Sequence, residues 1–462
     1  MTVGIAEAKT VKALQPQPRK TWGRTHEVSS GLALITGVLL LCCPVGVLYF
    51  WTACTHYECS LYAPYAAWTD LLRTDPARLW PTLRAELPHF SPAAFWLHAA
   101  WLLFQGLLYA YLPGPIGFGQ QTPAGHILPY KVNGLRAWLL THALFLGGSL
   151  GLGLFPASII YDHWGGLLVA SNIYGYLLTI YAYMKAHLFP THTDDRKFSG
   201  SIVYDLFMGI EHNPRIGDTW DFKLFHNGRP GIIAWTLINL SFAAAQYQQI
   251  GRVTNSMVLL NLLHAVYVVD FFYHEDWYLR TIDIAHDHFG FYLAWGDSVW
   301  LPFMYTLQSH FLVRHPIDLS TAAASALLAL GLVGYYIFRR ANNQKDRTRK
   351  ADGKLSIWGK PAQVIRARYT TGDGKTHQSL LLTSGFWGIS RHFNYVGDLC
   401  MCFAFCALCS FDYLLPHFYF LYMTILLVHR IQRDGARCKA KYGTYWDQYC
   451  DKVPYKLLPF IY

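Results

Sequence analysis

Ser320-Thr-Ala-Ala-Ala-Ser-Ala-Leu-Leu-Ala-Leu-Gly-Leu-Val-Gly-Tyr-Tyr-Ile-Phe338 runs without a charge, and Arg339-Arg-Ala-Asn-Asn-Gln-Lys-Asp-Arg-Thr-Arg-Lys350 follows at once. An α-helix needs about 20 apolar residues to cross the hydrocarbon core of a bilayer. Lys and Arg gather on the cytoplasmic side of such spans. The two segments together read as a membrane helix that leaves the bilayer into the cytosol.

Further apolar blocks cover residues 31–54, 93–112, 136–155, 165–189, 231–247, 256–272, 289–305, 395–409 and 414–428. With 320–338 they predict an all-α integral membrane protein of about ten transmembrane helices. The N-terminus (Lys9, Lys12, Arg19, Lys20, Arg24), the stretch 339–360 and the tail from Arg430 to Lys441 are basic. All three fall on one side if eight spans precede the second and ten the third, so both termini are expected in the cytosol. The chain divides accordingly. Residues 1–30 form a basic tail expected to be disordered, 31–340 hold eight helices and elements of the substrate pocket, and 341–462 hold a cytoplasmic-facing nucleotide pocket and the last two helices. No cleavable signal peptide is visible, so the first span is expected to serve as its own insertion signal.

Composition agrees. Hydrophobic residues make up 53% of the chain and charged ones 14%, too few to cover a water-soluble surface. The net charge of +10 flanks apolar blocks, so membrane topology explains it and nucleic-acid binding does not. The ten cysteines show no zinc spacing and no metal site is expected. Cys400, Cys402, Cys406 and Cys409 read as core residues, and Cys54 and Cys59 could pair if their loop is lumenal.

Several segments carry chemistry. Gly147, Gly148, Gly151 and Gly153 come nearest to a dinucleotide-binding glycine loop, but no strand precedes them, and close helix packing is the expected role. Lys345 and Arg349 are four apart and share a helical face that could grip phosphates. Arg391, Asn394, Tyr395 and Asp398 fall on one face of a helix entering the membrane, a stripe that is expensive there unless a polar ligand uses it. Arg430, Asp434 and Cys438 form another stripe, and an Arg430–Asp434 pair on a solvated helix is its plainer reading. Ionisable residues concentrate from His264 to Asp297, with Tyr267 and Asp270 three apart on one span. The polar segments 199–230 and 341–390 are too organised to be plain loops, and Asp352-Gly353 and Gly372-Asp373-Gly374 mark turns.

Read in order, Gly209-Ile-Glu-His-Asn-Pro-Arg-Ile-Gly217, Asp221-Phe-Lys-Leu-Phe225, Asp287-His-Phe-Gly-Phe-Tyr-Leu-Ala-Trp-Gly-Asp297, Trp300-Leu-Pro-Phe-Met-Tyr-Thr-Leu-Gln308 and Arg391-His-Phe-Asn-Tyr395 resemble the sterol reductase family over essentially the whole chain. Thr236-Leu-Ile-Asn-Leu-Ser-Phe-Ala-Ala244, Ala341-Asn-Asn-Gln-Lys-Asp346 and Ser384-Gly-Phe-Trp387 are most similar to the branch that reduces the Δ7 bond. The resemblance implies an NADPH-dependent enzyme of the endoplasmic reticulum membrane with a sterol substrate. Other sterol-biosynthesis enzymes of that membrane are its implied partners. It places nucleotide contacts at Lys345, Arg349, Leu382, Trp387, Asn394, Tyr395, Arg430, Asp434, Cys438, Tyr442 and Tyr449. Phe460 departs from the family, which often has Gly there.

A ring double bond between carbons is not polarised like a carbonyl, so a proton must add first and a hydride then quenches the cation in a dry pocket. Tyr267 is the expected acid, supported by Asp270, with Asp434 as the alternative. The rivals are reduction at Δ14 or Δ24(28), an isoprenylcysteine-type methyltransferase, which the 391–395 segment and the tail also resemble, and a non-catalytic sterol-binding protein.

Overall fold

A computed structural model describes residues 28–371 and 374–462. Lys9, Lys12, Arg19, Lys20 and Arg24 of the basic tail lie outside the described residues, as do Gly372 and Asp373 of the last turn.

Each apolar block is helical. The helices are α1 (Ser30–His56), α2 (Pro92–Tyr111), α3 (Gly134–Leu146), α4 (Trp164–Leu188), α5 (Pro230–Ile250), α6 (Asn255–Tyr273), α7 (Phe291–Trp295), α8 (Thr321–Lys350), α9 (Phe393–Ala407) and α10 (Phe418–Tyr442). By length and composition α1, α2, α4, α6 and α8 are able to cross a membrane. Leu34, Ile35, Leu41 and Val45 of α1 are exposed, which suits a helix covered by lipid. α8 opens on a Ser320 cap and spans 30 residues, about 45 Å at 1.5 Å per residue. The hydrocarbon core is only about 30 Å thick, so the turns bearing Lys345 and Arg349 extend beyond it.

The apolar core lies where α4, α5, α6, α7 and α9 meet, around Trp235, Phe242, Phe291 and Phe405. α8 and α9 cross at Gly334 and Gly397. A Cβ on Gly397 would stand 2.5 Å from the Gly334 carbonyl oxygen, so only hydrogen fits on either helix. α7 runs on through a wider π-helical turn (Gly296–Trp300) and Leu301–Met304. Asp297 and Trp300 of that turn line the internal cavity.

Four expectations need correction. The protein is mostly helical rather than all-α. The described residues include short two-stranded hairpins, the longest pairing β1 (Val364–Thr370) with β2 (Thr376–Leu382) in antiparallel register, Val364 opposite Leu382. Ile365 and Ala367 face inward while Arg366 and Arg368 face out, the alternation of a half-buried strand. The glycines at 147–153 do little packing. Gly148 abuts Phe155, whereas Gly147, Gly151 and Gly153 face open space, and the run forms a π-helical turn that ends α3. Arg391 sits before the first turn of α9 and donates to the Pro454 carbonyl at 3.1 Å, so it is not on the stripe. Arg430 pairs with Asp283 and not with Asp434. Cys54 and Cys59 form a disulfide, and Cys402, Cys406 and Cys409 are buried core thiols.

The segment 199–230 is organised by buried ion pairs. Lys185 meets Glu211 at 3.0 Å, Arg215 meets Asp221 at 3.0 Å, and Arg229 meets Glu275 at 2.5 Å. Lys223 donates to the carbonyls of Ile284 and Asp287 at 2.7 Å each. Gly209 has a φ of 83° and lies against Gly290, so the motifs around 209–217 and 287–297 touch backbone to backbone.

Candidate active site

A cavity of about 1000 Å³ opens between α6, α7, α8, α9, α10 and the β1–β2 hairpin. Amphipathic spacing sets its walls. Phe338, Asn342, Lys345 and Arg349 of α8, and Arg430, Asp434, Arg437 and Lys441 of α10, recur every three to four residues and point the same way.

One end of the cavity is basic. Lys345, Arg349, Arg437 and Lys441 converge there, with Tyr369, Leu382, Tyr442 and Tyr449 as walls. Trp387 donates its indole N–H to the Ala341 carbonyl at 2.7 Å, which fixes the ring, and the Lys345 ammonium lies 4.2 Å from its centroid. Cys438 stands 3.8 Å from Asp434. Asp434 accepts from Arg437 and faces His392 at 3.4 Å. Burial alone would raise the Asp434 carboxyl, but Arg437 and His392 outweigh it and hold the group well below the usual carboxylate range. Burial, and then Arg437, bring the Lys441 ammonium down to about 7. Lys441 belongs to this cluster although the sequence shows it only as part of a basic flank. Its place four residues after Arg437 was the signal.

The other end is aromatic and apolar, with Phe207, Trp235, Phe291, Tyr292, Trp295 and Tyr305. Tyr267 lines the cavity between the two ends, its ring 5.5 Å from that of Trp235. Asp270 also lines it, but its oxygens are taken. Tyr335 donates to Oδ1 at 2.9 Å, Arg339 Nε donates to the same oxygen at 3.0 Å, and Arg339 also grips Oδ2. Asp270 thus clamps α6 to α8 and is not placed to support Tyr267. Asp398, one turn beyond Asn394 and Tyr395 on α9, also lines the cavity. Sequence spacing had put Asp398 on the polar stripe without a role.

Buried polar atoms along the cavity lack protein partners: Asn342 Nδ2, Asn394 Oδ1, Asp398 Oδ1, Arg430 Nε and Arg437 Nε. Such atoms are destabilising unless a ligand or water meets them. Beside four cations and several aromatic faces, they fit a phosphate-bearing dinucleotide. Every residue expected from the sequence to contact substrate or nucleotide lines this one cavity, and among the described residues of 209–230 only Asn227 does.

The fold and the cavity define a helical membrane protein with an internal chamber that is basic at one end and aromatic at the other. Residues 24–462 match the ergosterol biosynthesis ERG4/ERG24 family. A 7-dehydrocholesterol reductase of Danio rerio is 51% identical over 98% of this chain and 96% of its own length. One of Xenopus laevis is 49% identical over 96% of this chain and 94% of its own. A Delta(14)-sterol reductase of Methylotuvimicrobium alcaliphilum is 41% identical over 92% and 94% respectively. The chain belongs to the ERG4/ERG24 family and is a sterol reductase.

Proposed function

We propose that the protein reduces the C7–C8 double bond of a sterol with NADPH, as the names of its vertebrate relatives suggest. The supporting observation is a cavity lined both by Lys345, Arg349, Arg437 and Lys441 and by a set of aromatic rings. Lys345, Arg349, Arg437 and Lys441 would hold the phosphates. Trp387, Tyr442, Tyr449, Leu382 and Cys438 would wall the nucleotide, and Asn394, Tyr395, Arg430 and Asp434 would orient it. NADPH when bound supplies a hydride to one carbon of the former double bond.

The chain's own groups do the rest. The Tyr267 hydroxyl gives its proton to the other alkene carbon. The rings of Trp235, Tyr292 and Tyr305 shield the resulting sterol cation and keep water from capturing it. Asp270 acts through Arg339 and Tyr335 as a positioning residue. The basic flanks at 339–360 and 430–441 support a cytosolic side for 341–462 at the endoplasmic reticulum membrane, where NADPH would be at hand.

A Delta(14)-sterol reductase is also 41% identical to this chain, so the bond is the point to test. Membranes containing the protein are given Δ7, Δ14 and Δ24(28) sterols with NADPH. Conversion of the Δ7 sterol at least tenfold faster than the others is expected, and preferred loss of the Δ14 bond would reverse the assignment.

A further inference from the structure

Three buried polar atoms in the aromatic half of the cavity are left over by the mechanism. Asp297 is 9% exposed, and its Oδ2 has no hydrogen-bond partner. Asn227 is 6% exposed. Its carbonyl oxygen accepts from the Tyr278 hydroxyl at 2.8 Å, while its Nδ2 has no partner. Trp300 Nε1 is likewise buried and without a partner. Elsewhere the indoles of Trp68, Trp138, Trp235, Trp295 and Trp387 each donate to a named acceptor. All three residues line the catalytic cavity, and Asp297 and Trp300 share one π-helical turn.

The set amounts to one acceptor and two donors. An alcohol complements it, since its O–H donates once and its oxygen accepts twice. A sterol carries an alcohol on ring A and is otherwise hydrocarbon. We propose that Asp297, Asn227 and Trp300 form the subsite that binds the sterol 3-hydroxyl, Asp297 accepting its proton while Asn227 and Trp300 donate to its oxygen. The subsite fixes which end of the sterol enters, and so which ring bond meets Tyr267. A 3-ketone satisfies the donors but leaves Asp297 unmet, and a 3-deoxy sterol satisfies none of the three. Asn394 and Asp398 also have oxygens without partners, but they lie on the α9 face that carries Tyr395, the face assigned to the nucleotide. The inference rests on the chain being a sterol reductase of the Δ7 type.

The test compares a 3β-hydroxy-5,7-diene sterol with its 3-keto and 3-deoxy analogues on the full-length protein in detergent with NADPH. A site built to hydrogen-bond a hydroxyl discriminates strongly against analogues that lack it. Wild type should favour the alcohol over the deoxy compound by about 100-fold in kcat/KM. In Asp297→Leu that ratio should fall below about 5, chiefly through a higher KM for the alcohol, and Trp300→Phe should lower it in part. Equal kcat/KM for the three sterols in wild type overturns the subsite. So does a fall of kcat on alcohol and deoxy sterol alike in Asp297→Leu, the signature of a proton donor. If no Δ7 sterol is reduced, the assigned reaction fails, and equilibrium binding then reads the subsite. Binding of the alcohol at least tenfold tighter than the deoxy compound supports it, and equal binding refutes it.

Discussion

Tyr267 and Lys441 carry the chemistry most exposed to test. If Tyr267 donates the proton, Tyr267→Phe should lower kcat by about 10²- to 10⁴-fold, the usual worth of general-acid catalysis, and leave the NADPH dissociation constant within about twofold. Turnover near wild type would remove Tyr267 from the mechanism. Lys441 makes a pH prediction. Its ammonium titrates near 7 in the free pocket, and a bound phosphate favours the charged form. Below pH 7 the group is already charged and binding moves no proton there. Above pH 7 binding must first take one up, so affinity falls as pH rises, by up to about tenfold per unit between 7 and 9. Calorimetry of NADPH binding in two buffers of different ionisation enthalpy should show proton uptake at pH 8 that disappears in Lys441→Met. A flat profile would place Lys441 away from the phosphates. Among single residues, the sequence spacing found the stripes but not the pairings. Arg430 with Asp283 and Asp270 with Arg339 join residues 147 and 69 positions apart. No local periodicity reports a partner at that distance.

At the scale of elements, the apolar blocks were legible as helices, and α1, α2, α4, α6 and α8 have the length and composition to cross a bilayer, whereas the blocks at 289–305 and 395–409 gave shorter or broken helices. The β1–β2 hairpin was not, although Val364-Ile-Arg-Ala-Arg-Tyr-Thr370 alternates inside and outside. The turn at Gly374 had been noted, but the flanking strands are short and lie in a chain dominated by helical signals. The hairpin matters to the site, since Leu382 ends β2 at the cavity wall and Ile365, Ala367 and Leu381 pack on Tyr442 and Tyr449. The segment 199–230 is a scaffold of buried ion pairs. Removing one member of such a pair strands the other's charge and costs about 3–5 kcal/mol. Glu211→Leu should therefore lower the melting temperature sharply in detergent, and the double variant Glu211→Leu with Lys185→Met should recover part of the loss. A single variant as stable as wild type would show that the Lys185–Glu211 contact does not hold the segment.

Across the whole molecule, α6 through α10 and the hairpin converge on one chamber. The long α8 carries its wall from the membrane to the cations beyond it. The polarity gradient along the chamber suits a ligand pair of opposite character, one charged and one greasy, meeting near Tyr267. Sequence motifs pointed to both ligands, but only the fold brings their residues into a common space, because α10 crosses back over the 282–288 loop. Direct transfer between the two ligands is the central claim. Purified protein should be given 7-dehydrocholesterol and NADPH deuterated at C4 of the nicotinamide, on each face in turn. One face should deliver a single deuterium to the former double bond, with the second hydrogen drawn from solvent. A reduced sterol without deuterium from either face, or reduction that proceeds without the nucleotide, would contradict the account.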